Sequence, residues 1–385
     1  MKSNSIKVYD LAVILMTIKV MIDRVVYLNA IKFLDNILIV ISLFLFVLVI
    51  IVENKYSIKE WIIIGVTGVL CLYSSLQMKE YFLILSYFLI IASINKNIKH
   101  TIKIMRNIKM IFVIISIGWY IFSYFITQDT IYTVIKNGKI AHHFGFTHPN
   151  AFALIICWIM LENIYLNIEN FRKKYLLVYV VVGLLLYWMT SCDTAMYILI
   201  LAAVLRLGSY YTVIEKIQTK IAKFIFPMLG IMNFVCIYIY AKRGGILYNF
   251  VSFLDIFLTA RIRQAAQISS MYGFTLFGHY IPIGHNVSYD SYYRISLLVC
   301  DGLFSYFLVC IGFIYTIIIS ILIWKYVKRN SEYSIIVILF SCYCILEVHG
   351  LNVYMAYPLL LFGCDYLNNL KKRPIRNKKG KRYYD

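Results

Sequence analysis

The sequence predicts an all-α, polytopic membrane protein of about twelve transmembrane helices, with one large extracytoplasmic loop before the tenth. Three observations carry this. Of 385 residues, 62% are hydrophobic and only 15% charged, too apolar for a soluble domain of that size. Runs of spanning length recur along the whole chain and give a mean hydropathy of +0.77. The cations between those runs alternate, dense in one set of connections and sparse in the other.

The runs place spans at Leu11–Leu28, Leu34–Val52, Trp61–Leu76, Tyr81–Ile94, Met110–Thr127 and Asn150–Leu166. They continue at Tyr175–Thr190, Thr194–Leu207, Phe224–Ala241, Leu303–Tyr326, Tyr333–His349 and Asn352–Leu367. The first run lacks an A-x-A cleavage site and is expected to stay as a helix. With only 5 prolines and no Ser/Gly-rich linker, residues 1–385 read as one integral membrane domain. Within it lie a loop at 242–302 and a basic tail at 368–385. With the N-terminus cytoplasmic, Lys and Arg favour the inner segments by about three to one. The tail KKRPIRNKKGKR then also falls inside. The expected location is the cell (plasma or inner) membrane, multi-pass, with both termini cytoplasmic.

The formal charge of +20 does not point to nucleic acid, because the cations sit in short connections where they set topology. The nine cysteines fall in or beside apolar runs, with no CxxC or Cys/His zinc spacing, so no metal or cofactor is expected.

Chemistry-bearing residues gather on the expected outer face. Six of seven histidines lie there: His142, His143, His148, His279, His285 and His349, with His100 inside. Histidine moves protons near neutral pH; packing at headgroup depth is the competing reading. His148-Pro149-Asn150 precedes the sixth span, and Pro149 suits a first helical turn. Local capping competes with a functional role for His148 and Asn150. Leu247, Phe250, Val251, Leu254, Phe257 and Leu258 keep helical spacing, which predicts an amphipathic surface helix. Continued onward, that helix would put Arg261 on the apolar face and Arg263 opposite. A guanidinium in an apolar stripe needs a partner, either a lipid diphosphate or bulk headgroups. The loop ends with His285, Asp290, Tyr292 and Arg294, a set of carboxylate, rings and cation suited to a sugar. Asp193 and Glu347 sit at outer helix mouths, where an ionisable group is functional or paired. Asp193 could equally cap its helix. Lys19, Asp23 and Arg24 are expected to neutralise one another along span one. Glu162, in span six, has no assignment.

These segments resemble the oligosaccharide repeat-unit polymerases, the Wzy-type family, related to the O-antigen ligases. HFGFTHPNAFA, TSCDTA, LTARIRQAAQISSMYGFTLFG, YDSYYRISLLVCDGLFSY and ILEVHGLN carry the resemblance, in that order, from His143 onward. The first four spans match only in character. The resemblance implies polymerisation of polyprenyl-diphosphate-linked oligosaccharide repeat units outside the cytoplasm, into a surface polysaccharide, without metal or nucleotide. It implies a flippase and a chain-length regulator as partners. By family analogy Arg261 serves the donor diphosphate, and Asp290 falls in an Asp-x-x-Tyr-like stretch. Relatives often carry a Ser-Arg pair where this chain has Cys192-Asp193, which leaves the role of Asp193 open.

The expected chemistry needs a cation for the departing diphosphate and a base for the acceptor hydroxyl. Arg261, helped by Arg263 or Arg243, would supply the first. His143, His148 or Asp290 would supply the second. Asn150, His285, Tyr292, Arg294, Glu347 and Asp193 would line the substrate site. A flippase or secondary transporter is the rival class, though no internal repeat is visible. A ligase moving finished glycan to another acceptor also fits. A glycosyltransferase of the other polyprenyl-sugar type is disfavoured, because the first outer loop has no pair of acids.

Overall fold

The structure is a computed structural model and describes residues 7–31, 33–54, 56–127, 133–136, 139–290, 295–371, 375–376 and 382–383. Each apolar run closes its own backbone hydrogen bonds, as a chain out of water must. The first six helices are α1 Val8–Ile22, α2 Leu34–Leu48, α3 Ile58–Met78, α4 Phe82–Ala92, α5 Ile98–Phe122 and α6 Pro149–Leu166. Then come α7 Leu176–Thr190, α8 Asp193–Gly208, α9 Thr212–Ala241, α10 Ile246–Phe257 and α11 Arg261–Tyr272. The last four are α12 Leu303–Tyr306, α13 Ile314–Arg329, α14 Ser334–Leu346 and α15 Pro358–Lys371. Two small antiparallel hairpins interrupt them: β1 Thr133–Lys136 with β2 Lys139–His142, and β3 Asn286–Asp290 with β4 Ile295–Leu297.

Among the described residues and counting flanking turns, six helices are long and apolar enough to cross a membrane: Leu34–Glu53, Ile58–Met78, Ile98–Phe125, Pro149–Leu166, Lys173–Thr190 and Thr212–Ala241. Of these, α6 is the central one, with 67% of its apolar window buried against 22–33% for the others. The peripheral helices turn apolar faces outward, as with Val40 at 65%, Leu177 at 69% and Trp188 at 77% exposure. Hydrocarbon is the solvent such a surface fits.

Local chemistry fixes where helices begin. Ser57 caps α3 while the Glu60 carboxylate reaches back to the Ser57 N–H at 2.6 Å. Asn97 caps α5 by accepting from the His100 N–H at 3.2 Å. Ser191, in the left-handed region, makes the tight turn between α7 and α8.

Contacts sort the helix ends into two groups. At one end, Tyr9 reaches Ser93 and Thr101, Glu53 pairs with Lys96, and Arg329 pairs with Asp365 at 2.9 Å. At the other end, the Thr147 N–H donates to the Arg24 carbonyl, Tyr306 donates to Glu80, and Thr194 donates to Glu347. Consecutive long helices therefore alternate in direction, and the residues of interest share one end, called here the site end.

Two sequence expectations meet a different structure. The run Leu303–Tyr326 is not one helix. It breaks at Gly312, where φ is +108° and a Cβ would stand 2.4 Å from the Leu276 carbonyl oxygen. Residues 275–279 thread into this break. The Thr275 and His279 N–H groups donate to Leu308 and Cys310, and the Phe313 N–H donates to Thr275. At Gly278 (φ +98°) a Cβ would stand 2.9 Å from the Ile311 carbonyl oxygen. Only glycine lets two backbones meet this way.

The amphipathic helix also stops early. Thr259 and Ala260 both adopt left-handed φ, so α11 starts afresh at Arg261. The expected apolar stripe of α10 is split: Leu247, Phe250 and Phe257 are exposed, Val251 is buried, and Ile256 is exposed on the other side. The extrapolation that set Arg261 on that stripe does not hold, because the helical phase resets at the break.

Candidate functional site

The segment His143–His148 is held rigidly before it reaches α6. Its backbone pairs with the end of α1: the Val26 N–H donates to Gly145 at 2.9 Å, and the Thr147 N–H donates to Arg24 at 2.8 Å. His143 is buried, and its Nδ1 donates to the Phe146 carbonyl at 2.8 Å. That bond fixes the tautomer, and burial pushes the imidazole below its ordinary range. His143 thus pins the turn. His148 is exposed and caps α6, its Nδ1 accepting the Asn150 N–H at 3.1 Å. The neutral ring then carries its proton on Nε2. Pro149 opens α6, as its missing N–H suggests. Asn150 lies half-buried in that first turn.

Arg261 faces inward from the start of α11. Its Nε donates to the Leu346 carbonyl at 2.6 Å and its Nη1 to Leu258 at 3.1 Å and to Thr259. Its Nη2 lies 3.4 Å from Glu347 Oε1. Glu347, buried at the end of α14, also accepts the Thr194 hydroxyl at 2.9 Å. Thus α8, α11 and α14 meet on one carboxylate.

Asp301 completes the group, half-buried just before α12. Burial raises its carboxyl above the usual range, while Arg261 and the His148 ring act in the opposite sense. Asp301 therefore feels both the loop arginine and the HPN histidine. Nothing in the sequence singled it out; its signal was the Asp-Gly step, where a Cβ on Gly302 would stand 2.6 Å from the Ile345 carbonyl oxygen.

Beside this group lies a polar cavity of about 330 Å³, lined among others by Lys19, Asp23, Arg24, Lys79, Glu80 and His349. Lys19 and Asp23 pair, as expected along one helix. Arg24 is not part of that pair.

Arg263 belongs to Asp255: the Asp255 carboxylate accepts the Ile262 and Arg263 N–H groups at 2.9 and 3.0 Å, and Arg263 Nε lies 3.8 Å away. Asp255 thereby caps α11 from the preceding helix. Arg243 is exposed in a left-handed turn after α9. His285 is exposed, its carbonyl accepting from Leu298. Asp193 is the first residue of α8, with Cys192 as cap, so it favours the helix dipole rather than capping. Asp290 pairs its backbone with Ile295. Tyr292 and Arg294 lie outside the described residues. His142 bonds Tyr120 at 2.7 Å, and His279 stands 6.3 Å from the Tyr272 ring. Glu162, without assignment in the sequence, is fully buried and pairs with Lys109.

Among the described residues, no three His, Cys, Asp or Glu side chains gather as a metal site would need. The arrangement offers instead a guanidinium, an elevated carboxyl and an imidazole at the mouth of a helical bundle. No protein-family model, curated protein or solved structure matches this chain.

Proposed function

We propose that the chain is a membrane glycosyltransferase that polymerises polyprenyl-diphosphate-linked oligosaccharide repeat units into a surface polysaccharide. In this reading it spans the cell membrane twelve times, with both termini cytoplasmic. The site end then faces outward, with the loop at 242–302 on that side, and flippase and chain-length regulator proteins are its partners. The excess of Lys and Arg in the connections at the opposite end supports this sidedness.

The observation that carries the reading is the Arg261 guanidinium, held 3.4 Å from Glu347 at the helix mouth, with the Asp301 carboxyl under the influence of both Arg261 and His148. A donor sugar bound to diphosphate is already activated. The bond from its anomeric carbon to the diphosphate oxygen breaks, and the electron pair leaves with the diphosphate. A new glycosidic bond forms to the acceptor hydroxyl oxygen, whose proton passes to Asp301. Arg261 and the Nε2–H of His148 face the charge that develops on the leaving group. Glu347 and Leu346 hold the guanidinium in place beforehand. His143 positions the turn rather than acting as base.

A second reading draws on the Lys109–Glu162 pair. Charges buried inside a helical bundle mark many transport paths. Lys109 also donates to the Met355 carbonyl at 3.3 Å, which suits a fixed pair better than a moving one.

The glycan profile of a deletion strain tests the reading. A surface reduced to single repeat units supports polymerisation, and complementation with Arg261→Ala should leave single units. Complete loss of the glycan would favour transport, and loss only of attachment to a further acceptor would favour ligation.

A further inference from the structure

Lys19 and Asp23 stand one helical turn apart in the last part of α1 and neutralise each other. The next residue, Arg24, is half-buried, and its guanidinium makes no salt bridge with any described residue. It lines the 330 Å³ cavity with Lys79, whose ammonium sits 4.9 Å above the Tyr280 ring. Of the two acids in the lining, Asp23 pairs with Lys19 and also acts on Arg24, while Glu80 acts on Arg24 and accepts the Tyr306 hydroxyl at 3.3 Å. Three cations, Lys19, Arg24 and Lys79, thus share this cavity with two acids, Asp23 and Glu80, and among the described residues neither Arg24 nor Lys79 forms a salt bridge.

The cavity is continuous in character with the Arg261 group. Tyr343 of α14 lies within electrostatic reach of both Arg24 and Glu347. It also borders the bilayer side. Ile39 of α2 closes one edge, and on α2 Val40 and Phe44 are 65% and 61% exposed on an apolar surface.

We propose that this cavity is a second diphosphate site, which holds the lipid-linked acceptor beside the donor bound at Arg261. The proposal rests on the polymerase reading, which requires two lipid-linked substrates at once. Arg24 supplies the planar fork and Lys79 a point charge, the pairing that suits a diphosphate. The tail enters from the α2 side, so the headgroup need not cross the bundle.

The test is binding of a polyprenyl diphosphate to the full chain in lipid nanodiscs, read by native mass spectrometry. Inorganic pyrophosphate and phosphatidylglycerol serve as competitors. The wild type should bind two polyprenyl diphosphates per chain. Arg24→Gln and, separately, Lys79→Gln should weaken one of the two at least tenfold, and Arg261→Gln the other. Arg329→Gln, at the opposite end of the bundle, should change neither. Two molecules bound with unchanged affinity in both Arg24→Gln and Lys79→Gln would overturn the proposal. So would equal competition by phosphatidylglycerol, which would make the cavity a general anionic-lipid site. If inorganic pyrophosphate alone binds as tightly, the occupant is free pyrophosphate and the acceptor assignment fails. A single molecule, lost in Arg261→Gln only, removes the second site and leaves the polymerase reading intact. No binding by the wild type removes both.

Discussion

Arg261 Nη2 lies 3.4 Å from Glu347 Oε1, and this contact ties the start of α11 to the end of α14. Both side chains are about one-tenth exposed, so the pair is shielded from bulk solvent.

Breaking that pair should destabilise the protein. Removing one partner of a desolvated pair leaves the other charge stranded. Glu347→Ala should cost about 2–4 kcal/mol and Glu347→Gln about half of that, because glutamine can still accept from Thr194. Denaturant unfolding in micelles measures both. Equal loss in the two variants would show that shape, not charge, matters at this position.

The Lys109–Glu162 pair makes a sharper case, with both side chains fully buried. Lys109→Met alone, or Glu162→Met alone, should lower stability by about 3–5 kcal/mol. The double variant should recover most of it, since two apolar side chains need no counter-charge. Thermal unfolding of the three proteins decides. If the double variant is as unstable as the singles, the pair does more than neutralise itself.

Glycine substitutions should grade by the space around them. At Gly312 an added Cβ meets backbone at 2.4 Å with φ at +108°, and Gly312→Ala should cost about 3 kcal/mol or more. Gly284 has a similar φ of +84° but nothing within 4 Å, so Gly284→Ala should cost only about 1 kcal/mol. Comparable losses at the two sites would contradict the threaded break in the Leu303–Tyr326 run.

Acidity should follow Asp301. Its carboxyl titrates above the ordinary range because it is buried. As the base, it must be ionised, so activity should rise with pH through that elevated value. Arg261 favours the ionised form, so Arg261→Gln should move the acid limb of the residual activity to higher pH. For stability the sign is opposite. A carboxyl raised in the folded state contributes stability that is fully present below the unfolded value and lost as pH climbs through the folded one. Asp301→Asn should therefore abolish the limb without lowering stability at neutral pH. An unmoved limb in Arg261→Gln would separate the two residues.

The helical class and the residues at the helix mouths were legible in the sequence, because period and cation placement speak directly of a bilayer. The HPN turn was legible too, since Pro149 can only open a helix there. Three things were not. The reset at Thr259 and Ala260 uses non-glycine residues with left-handed φ, which carry no composition signal. The partner of Glu162 lies 53 positions away on another helix. Asp301 gains its character from burial and from two residues distant in sequence.

The most direct trial uses the purified protein and polyprenyl-diphosphate-linked repeat units, with the products resolved by length on a gel. The wild type should give a ladder of polymers, and Asp301→Asn should slow its growth by about 10²–10³. Repeat units left single by the wild-type protein, or an undiminished ladder from Asp301→Asn, would contradict the account.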